Sequence, residues 1–155
     1  VPAHIPRTGE TAPDFELPNQ FGEPVRLSKL RGRITVVVFY PFAFSGVCTG
    51  ELCELRDNLD AFTAKDAHVL AVSVDAKYAL RAYAQSEGYD FDLLSDFWPH
   101  GDVARSYGVF NETRGMAERG TFIIDDGGIV RYSVVNPVGE ARSLAEYRKA
   151  LDELA

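Results

Sequence analysis

The side chains best suited to chemistry in this 155-residue chain are its two cysteines, Cys48 and Cys53, which follow an apolar run ending at Pro41. Cys48 stands where a helical pattern opens, and the unpaired N–H groups and dipole of a first helical turn favour thiolate over thiol. An ordinary cysteine titrates near pH 8.5, and such settings bring that to between about 3.5 and 7.5. Position therefore offers Cys48 as a nucleophile, with an inert, small apolar side chain as the alternative it leaves open. Cys53 lies five residues on. In an intact helix that spacing puts the Cα atoms about 8.5 Å apart, whereas a disulfide needs less than about 7 Å. A bond between them requires the first turn to unwind, as a catalytic disulfide can and a structural one would not. The alternative is that Cys53 fills the apolar stripe beside Leu52. A metal centre is not expected: with His4, His68 and His100 as the available histidines, no second ligand pair stands at zinc-site spacing. The absence of Cys-x-x-Cys argues against a general dithiol reductase.

Composition narrows the partners. The chain is 46% hydrophobic with a net charge of -7, and its Lys and Arg residues are scattered. A single domain over 1–155 is expected, with neither nucleic acid nor an anionic membrane as partner. No apolar stretch reaches the length of a membrane span. Two cysteines are too few for a disulfide-stapled scaffold. Val1 in place of Met leaves an upstream targeting segment open, and the cytoplasm is the default location.

The elements that must position the cysteines follow from periodicity. Ala12 to Leu17 and Val25 to Leu27, around Gln20-Phe21-Gly22-Glu23-Pro24, predict an N-terminal hairpin. Ile34 to Tyr40 has no polar face, the pattern of a central strand covered on both sides. Leu52, Leu55, Leu59 and Phe62 predict one helix from Thr49 to about Ala64. Strands are expected at Val69 to Val74 and Phe91 to Leu94, with helices at Tyr78 to Ser86 and His100 to Tyr107. Thr121 to Ile124 and Ile129 to Val134 flank Asp125-Asp126-Gly127-Gly128 as a hairpin, and Leu144, Tyr147, Leu151 and Leu154 mark a C-terminal helix. This alternation predicts an α/β, three-layer sandwich that resembles a thioredoxin-like domain, with the N-terminal β-hairpin as an extension.

Pro41-x-x-x-Ser45-x-x-Cys48 resembles the Pro-x-x-x-Thr/Ser-x-x-Cys signature of peroxiredoxins, and Arg119 in Glu118-Arg119-Gly120-Thr121 resembles that family's active-site arginine. The resemblance runs from about Gly9 onward. Leu93 to Gly101 and Tyr107 to Glu112 look most like the alkyl hydroperoxide reductase E group, which typically works with one cysteine. Cys53 departs from that group and resembles the resolving cysteine of the bacterioferritin-comigratory, or Q-type, peroxiredoxins.

The resemblance implies a thiol peroxidase. Cys48 attacks a peroxide to give a sulfenic acid, Cys53 closes the disulfide, and a thioredoxin or glutaredoxin-like protein reduces it. It implies that Pro41 shields the thiolate, Ser45 hydrogen-bonds sulfur and peroxide, and Arg119 holds the charge moving between them. Glu51 is expected to orient Arg119 or cap the helix. Without the resemblance, Ser45 reads as a turn residue beside Gly46, and Arg119 as a surface ion pair with Glu118 or Glu51. No cofactor is implied, and a homodimer is possible. Phe42, Phe44, Phe97 and Trp98 can form an apolar mouth for organic hydroperoxides or pack in the core. A peroxide-sensing binding module and a one-cysteine peroxidase with a structural Cys53 stay open as rivals.

Overall fold

The computed structural model describes residues 4–64, 66–136 and 144–154, with the side chains of Val47, Cys48 and Leu144 outside that description. Near the N-terminus, β1 (Glu16–Pro18) and β2 (Pro24–Arg26) pair antiparallel with Leu17 opposite Val25. Their turn is held by the Asn19 side-chain oxygen, which accepts from the N–H groups of Phe21 and Glu23 at 2.9 and 3.0 Å. The paired segment starts later than periodicity suggests because the backbone of its predicted start is used elsewhere, the Ala12 N–H donating to the Gly128 carbonyl at 3.0 Å.

The apolar run after the hairpin forms β3 (Thr35–Phe39), buried along its whole length. The next helical stretch is two helices, α1 (Gly46–Asp57) and α2 (Leu59–Thr63), instead of one from Thr49 to Ala64. The break falls at Asn58, whose backbone leaves the helical region at φ -117° while its N–H and side-chain amide both donate to the Glu54 carbonyl, at 3.1 and 2.8 Å. Periodicity did not show this, since the apolar stripe continues across the break.

The chain continues through β4 (His68–Ser73), α3 (Lys77–Glu87), β5 (Asp92–Ser95) and α4 (Asp102–Ser106). A small hairpin, β6 (Phe110–Asn111) with β7 (Met116–Ala117), was not expected from sequence, its strands being too short for an alternating pattern. β8 (Arg119–Ile124), β9 (Val130–Asn136) and α5 (Leu144–Leu154) complete the order.

Five strands form the main sheet in the order β5-β4-β3-β8-β9, which puts β3 at its centre as its unbroken apolar run requires. β3, β4 and β5 are parallel, and β8 and β9 run antiparallel to their neighbours. Alternate residues of β3 feed two cores. Val36 and Val38 join Leu52, Phe62, Leu80 and Leu151 from α1, α2, α3 and α5, while Val37 and Phe39 join Phe15, Leu17, Val103 and Tyr107 from in and beside the hairpin and α4. The result is the three-layer, thioredoxin-like sandwich.

This topology brings distant segments to one edge. The C-terminal ends of β3, β4 and β5 share it, and because β8 is antiparallel its first residue, Arg119, lies there too, two positions before the Thr121 that pairs with Val38.

Candidate active site at the carboxyl edge of the sheet

β3 ends at Phe39, and Tyr40 is still tied to the sheet through its N–H to the Val72 carbonyl at 3.0 Å. Pro41 follows, buried, with no N–H to extend the ladder. The chain turns through Phe42 to Ser45 and enters α1, whose first bond is the Thr49 N–H donating to the Ser45 carbonyl at 2.8 Å. Ser45 is thus the residue that caps the helix, and Cys48 falls within its first turn, among the backbone N–H groups that lack helical partners.

Phe44 occupies the left-handed region at φ 67°, a conformation that opposes an ordinary side chain by roughly 1–2 kcal/mol. Two contacts hold it. Its ring lies 4.8 Å from that of Tyr83, and the N–H of neighbouring Ala43 donates to Asp75 Oδ2 at 2.8 Å. The same carboxylate oxygen accepts from the Ser73 hydroxyl at 2.7 Å, and the Asp75 carbonyl accepts from the Ser95 hydroxyl at 2.7 Å. Asp75 therefore ties the turn before α1 to the ends of β4 and β5. Sequence reading missed it, since an aspartate after a strand reads as an ordinary turn residue.

Arg119 is 2% exposed and donates to Glu51, itself 7% exposed, from the next turn of α1 after Cys48. Of the partners that charge pairing alone suggests, Glu51 is the one engaged, and the pair is buried, not on the surface. Glu118 instead accepts from Asn111 at 3.3 Å. Burying an arginine needs such a partner, because an unpaired interior charge is strongly unfavourable.

Cys53 is half-buried on the same helix. Its thiol donates to Glu87 Oε2 at 3.4 Å and lies 3.5 Å from the Tyr89 hydroxyl. Both cysteines belong to one unbroken helix, so regular helix geometry keeps their Cα atoms about 8.5 Å apart. Phe42, Phe44, Phe97 and Trp98 are 42, 56, 52 and 81% exposed, which overturns core packing as their explanation. The site is therefore an arginine–glutamate pair, a helix-capping serine and a first-turn cysteine at one sheet edge, with exposed aromatic rings on the loops leaving that edge.

The family model described as AhpC/TSA matches residues 8–133 of the chain. The chain belongs to the AhpC/TSA family of peroxiredoxins. Over 147 residues this peroxiredoxin is 46% identical to alkyl hydroperoxide reductase E of Mycobacterium tuberculosis, spanning 94% of this chain and 96% of that one. It superposes on peroxidoxin BcpB from Mycobacterium tuberculosis with a TM-score of 0.83 at 34% identity, covering 97% of both chains. Against the reduced 2-Cys peroxiredoxin of Plasmodium vivax the TM-score is 0.85 at 29% identity, over 94% of this chain and 80% of that one. The peroxiredoxin fold and the thiol peroxidase class expected from the Pro41 to Cys48 signature are thereby established.

Among the described residues no helix is long and apolar enough to cross a membrane.

Proposed function

We propose that the chain, acting as one domain, reduces hydrogen peroxide and organic hydroperoxides through Cys48 and is recycled through Cys53. The observation that carries this reading is the buried Arg119, held by Glu51 three positions after Cys48 on α1. Residues three apart share a helix face, which supports Arg119 as the array of N–H donors that meets the nucleophile. The Cys48 thiolate, favoured by the first-turn N–H groups, attacks one peroxide oxygen. The O–O bond breaks, the sulfur becomes a sulfenic acid, and the other oxygen leaves as water or alcohol after protonation. Arg119 and the Ser45 hydroxyl follow the negative charge from sulfur to the departing oxygen, and Pro41, buried after β3, shields the reaction from solvent. The exposed rings of Phe42 and Phe44 give organic hydroperoxides an apolar approach.

Cys53 then attacks the sulfenic acid. Reaching it requires the first turn of α1 to unwind, after which a thioredoxin or glutaredoxin-like dithiol reduces the disulfide by exchange. A one-cysteine cycle is the second reading, favoured by the single unbroken helix that separates the two sulfur-bearing residues. Steady-state peroxide consumption with a thioredoxin system and with a monothiol reductant tests both. Turnover with thioredoxin supports the two-cysteine cycle, turnover with the monothiol alone supports the other, and one equivalent consumed without turnover indicates a peroxide sensor.

A further inference from the structure

Cys53 lies among polar groups other than those assigned above to peroxide cleavage. The Cys53 thiol donates to Glu87 Oε2 at 3.4 Å, within ordinary S–H to oxygen reach. The Tyr89 hydroxyl stands 3.5 Å from the same sulfur and donates to the Thr49 carbonyl at 3.4 Å. Glu87 is the last residue of α3 and keeps 29% of its side chain in solvent, with Arg56 Nη1 3.9 Å from the oxygen that faces Cys53. The titratable groups around it include Arg56 and Asp57 from α1, paired at 2.9 Å, Glu87 and Tyr83 from α3, and Tyr89 beyond it. Burial, and then the bond to Cys53, holds the Tyr89 phenol far above its ordinary range. Tyr89 therefore stays protonated and offers a hydrogen bond, leaving Glu87 as the acceptor of a proton.

We propose that Glu87 is the general base of the resolving step, an inference that rests on the two-cysteine reading above. As the Cys53 sulfur attacks the sulfenic sulfur of Cys48, its S–H bond breaks and the proton passes to the Glu87 carboxylate. The S–S bond forms, the sulfenic S–O bond breaks, and the departing hydroxide takes a proton from solvent to leave as water, matching the proton that Glu87 later returns. Peroxide has already supplied the oxidising equivalents, so no further oxidant enters. Tyr89 keeps its O–H on the Thr49 carbonyl until the sulfur gives up its proton, and the solvent-facing side of Glu87 lets its proton be released before the next cycle.

The test is a single turnover. Reduced protein is mixed with one equivalent of peroxide, and the 48–53 disulfide is followed by acid quench and peptide mapping from pH 5.5 to 8.5. At pH 7, Glu87→Gln is expected to slow closure by about 10²-fold, the usual worth of a positioned base. Its rate should then climb about tenfold per pH unit, since only thiolate formed in advance can attack, while wild type changes much less. Glu87→Asp should recover most of the rate. A Glu87→Gln protein that closes as fast as wild type with the same pH profile overturns the base and leaves the two-cysteine reading standing. A wild-type protein that forms no 48–53 disulfide overturns both.

Discussion

Arg119 and Glu51, 68 positions apart in sequence, form an ion pair with 2% and 5% of their side chains exposed, joining the first residue of β8 to the second turn of α1. Removal of Arg119 should therefore have two effects. Peroxide reduction should fall by about 10² to 10³ from loss of one preorganised donor group. Stability should fall by about 3–5 kcal/mol, because the buried Glu51 loses the cation that offsets its charge. Denaturation and stopped-flow rates on Arg119→Ala and on Arg119→Ala/Glu51→Gln separate the two. The double variant should regain part of the stability and none of the rate; recovery of both would make the pair purely structural.

Cys48→Ser should abolish peroxide consumption while leaving the fold intact, the change being one atom near a helix start. Circular dichroism and a peroxide electrode check this. More than a few per cent of residual rate would mean that another group is the nucleophile.

In wild type, one equivalent of peroxide should consume both thiols and reduce the helical signal by about one turn, because closure has to unwind the start of α1. Cys53→Ser should keep the first oxidation nearly as fast and accumulate sulfenic acid that oxidises further. Mass spectrometry of the intact protein reads this directly, and wild type retaining a free Cys53 beside a Cys48 sulfenic acid would favour the one-cysteine cycle.

Asp75 anchors the turn that delivers Ser45 and α1, accepting from Ala43 and Ser73 at 2.8 and 2.7 Å. Asp75→Ala should lower stability by about 1–3 kcal/mol by leaving those donors unpaired. It should also lower the second-order rate with peroxide by roughly tenfold, since a small displacement of a reacting group is strongly felt. An unchanged rate at reduced stability would confine Asp75 to holding the loop.

Burial pushes the Asp96 carboxyl up to about 6, against bonds from the N–H groups of Ala104 and Val103 that favour its anion. The folded protein therefore binds a proton here more tightly than the unfolded chain. The contribution is fully present below the unfolded value near 3.8 and is lost as pH rises through about 6. Urea denaturation of wild type and Asp96→Asn between pH 4 and 7 should show the wild-type advantage shrinking with rising pH, by at most about 3 kcal/mol. A pH-independent difference would rule this linkage out.

The order of the main-sheet strands along the chain, the central place of Thr35–Phe39 and the first-turn position of Cys48 were legible in the sequence. They rest on local patterns: an unbroken apolar run, helical spacing and a signature at a strand-to-helix junction. The same local logic hid the break at Asn58, because it turns on the backbone of one residue leaving the helical region while the apolar stripe runs on. It also hid the anchoring by Asp75 and the grouping of Cys53 with Glu87 and Tyr89, which join residues 34 and 36 positions apart. Charge alone read Arg119 as a surface group. What placed it inside, against Glu51, is the antiparallel pairing of β8 with β3, which carries the start of one strand to the end of the other. Periodicity is set by neighbours along the chain and can be read one segment at a time. Which side chains meet across the sheet edge depends on strand order and register, which exist only once the segments have packed.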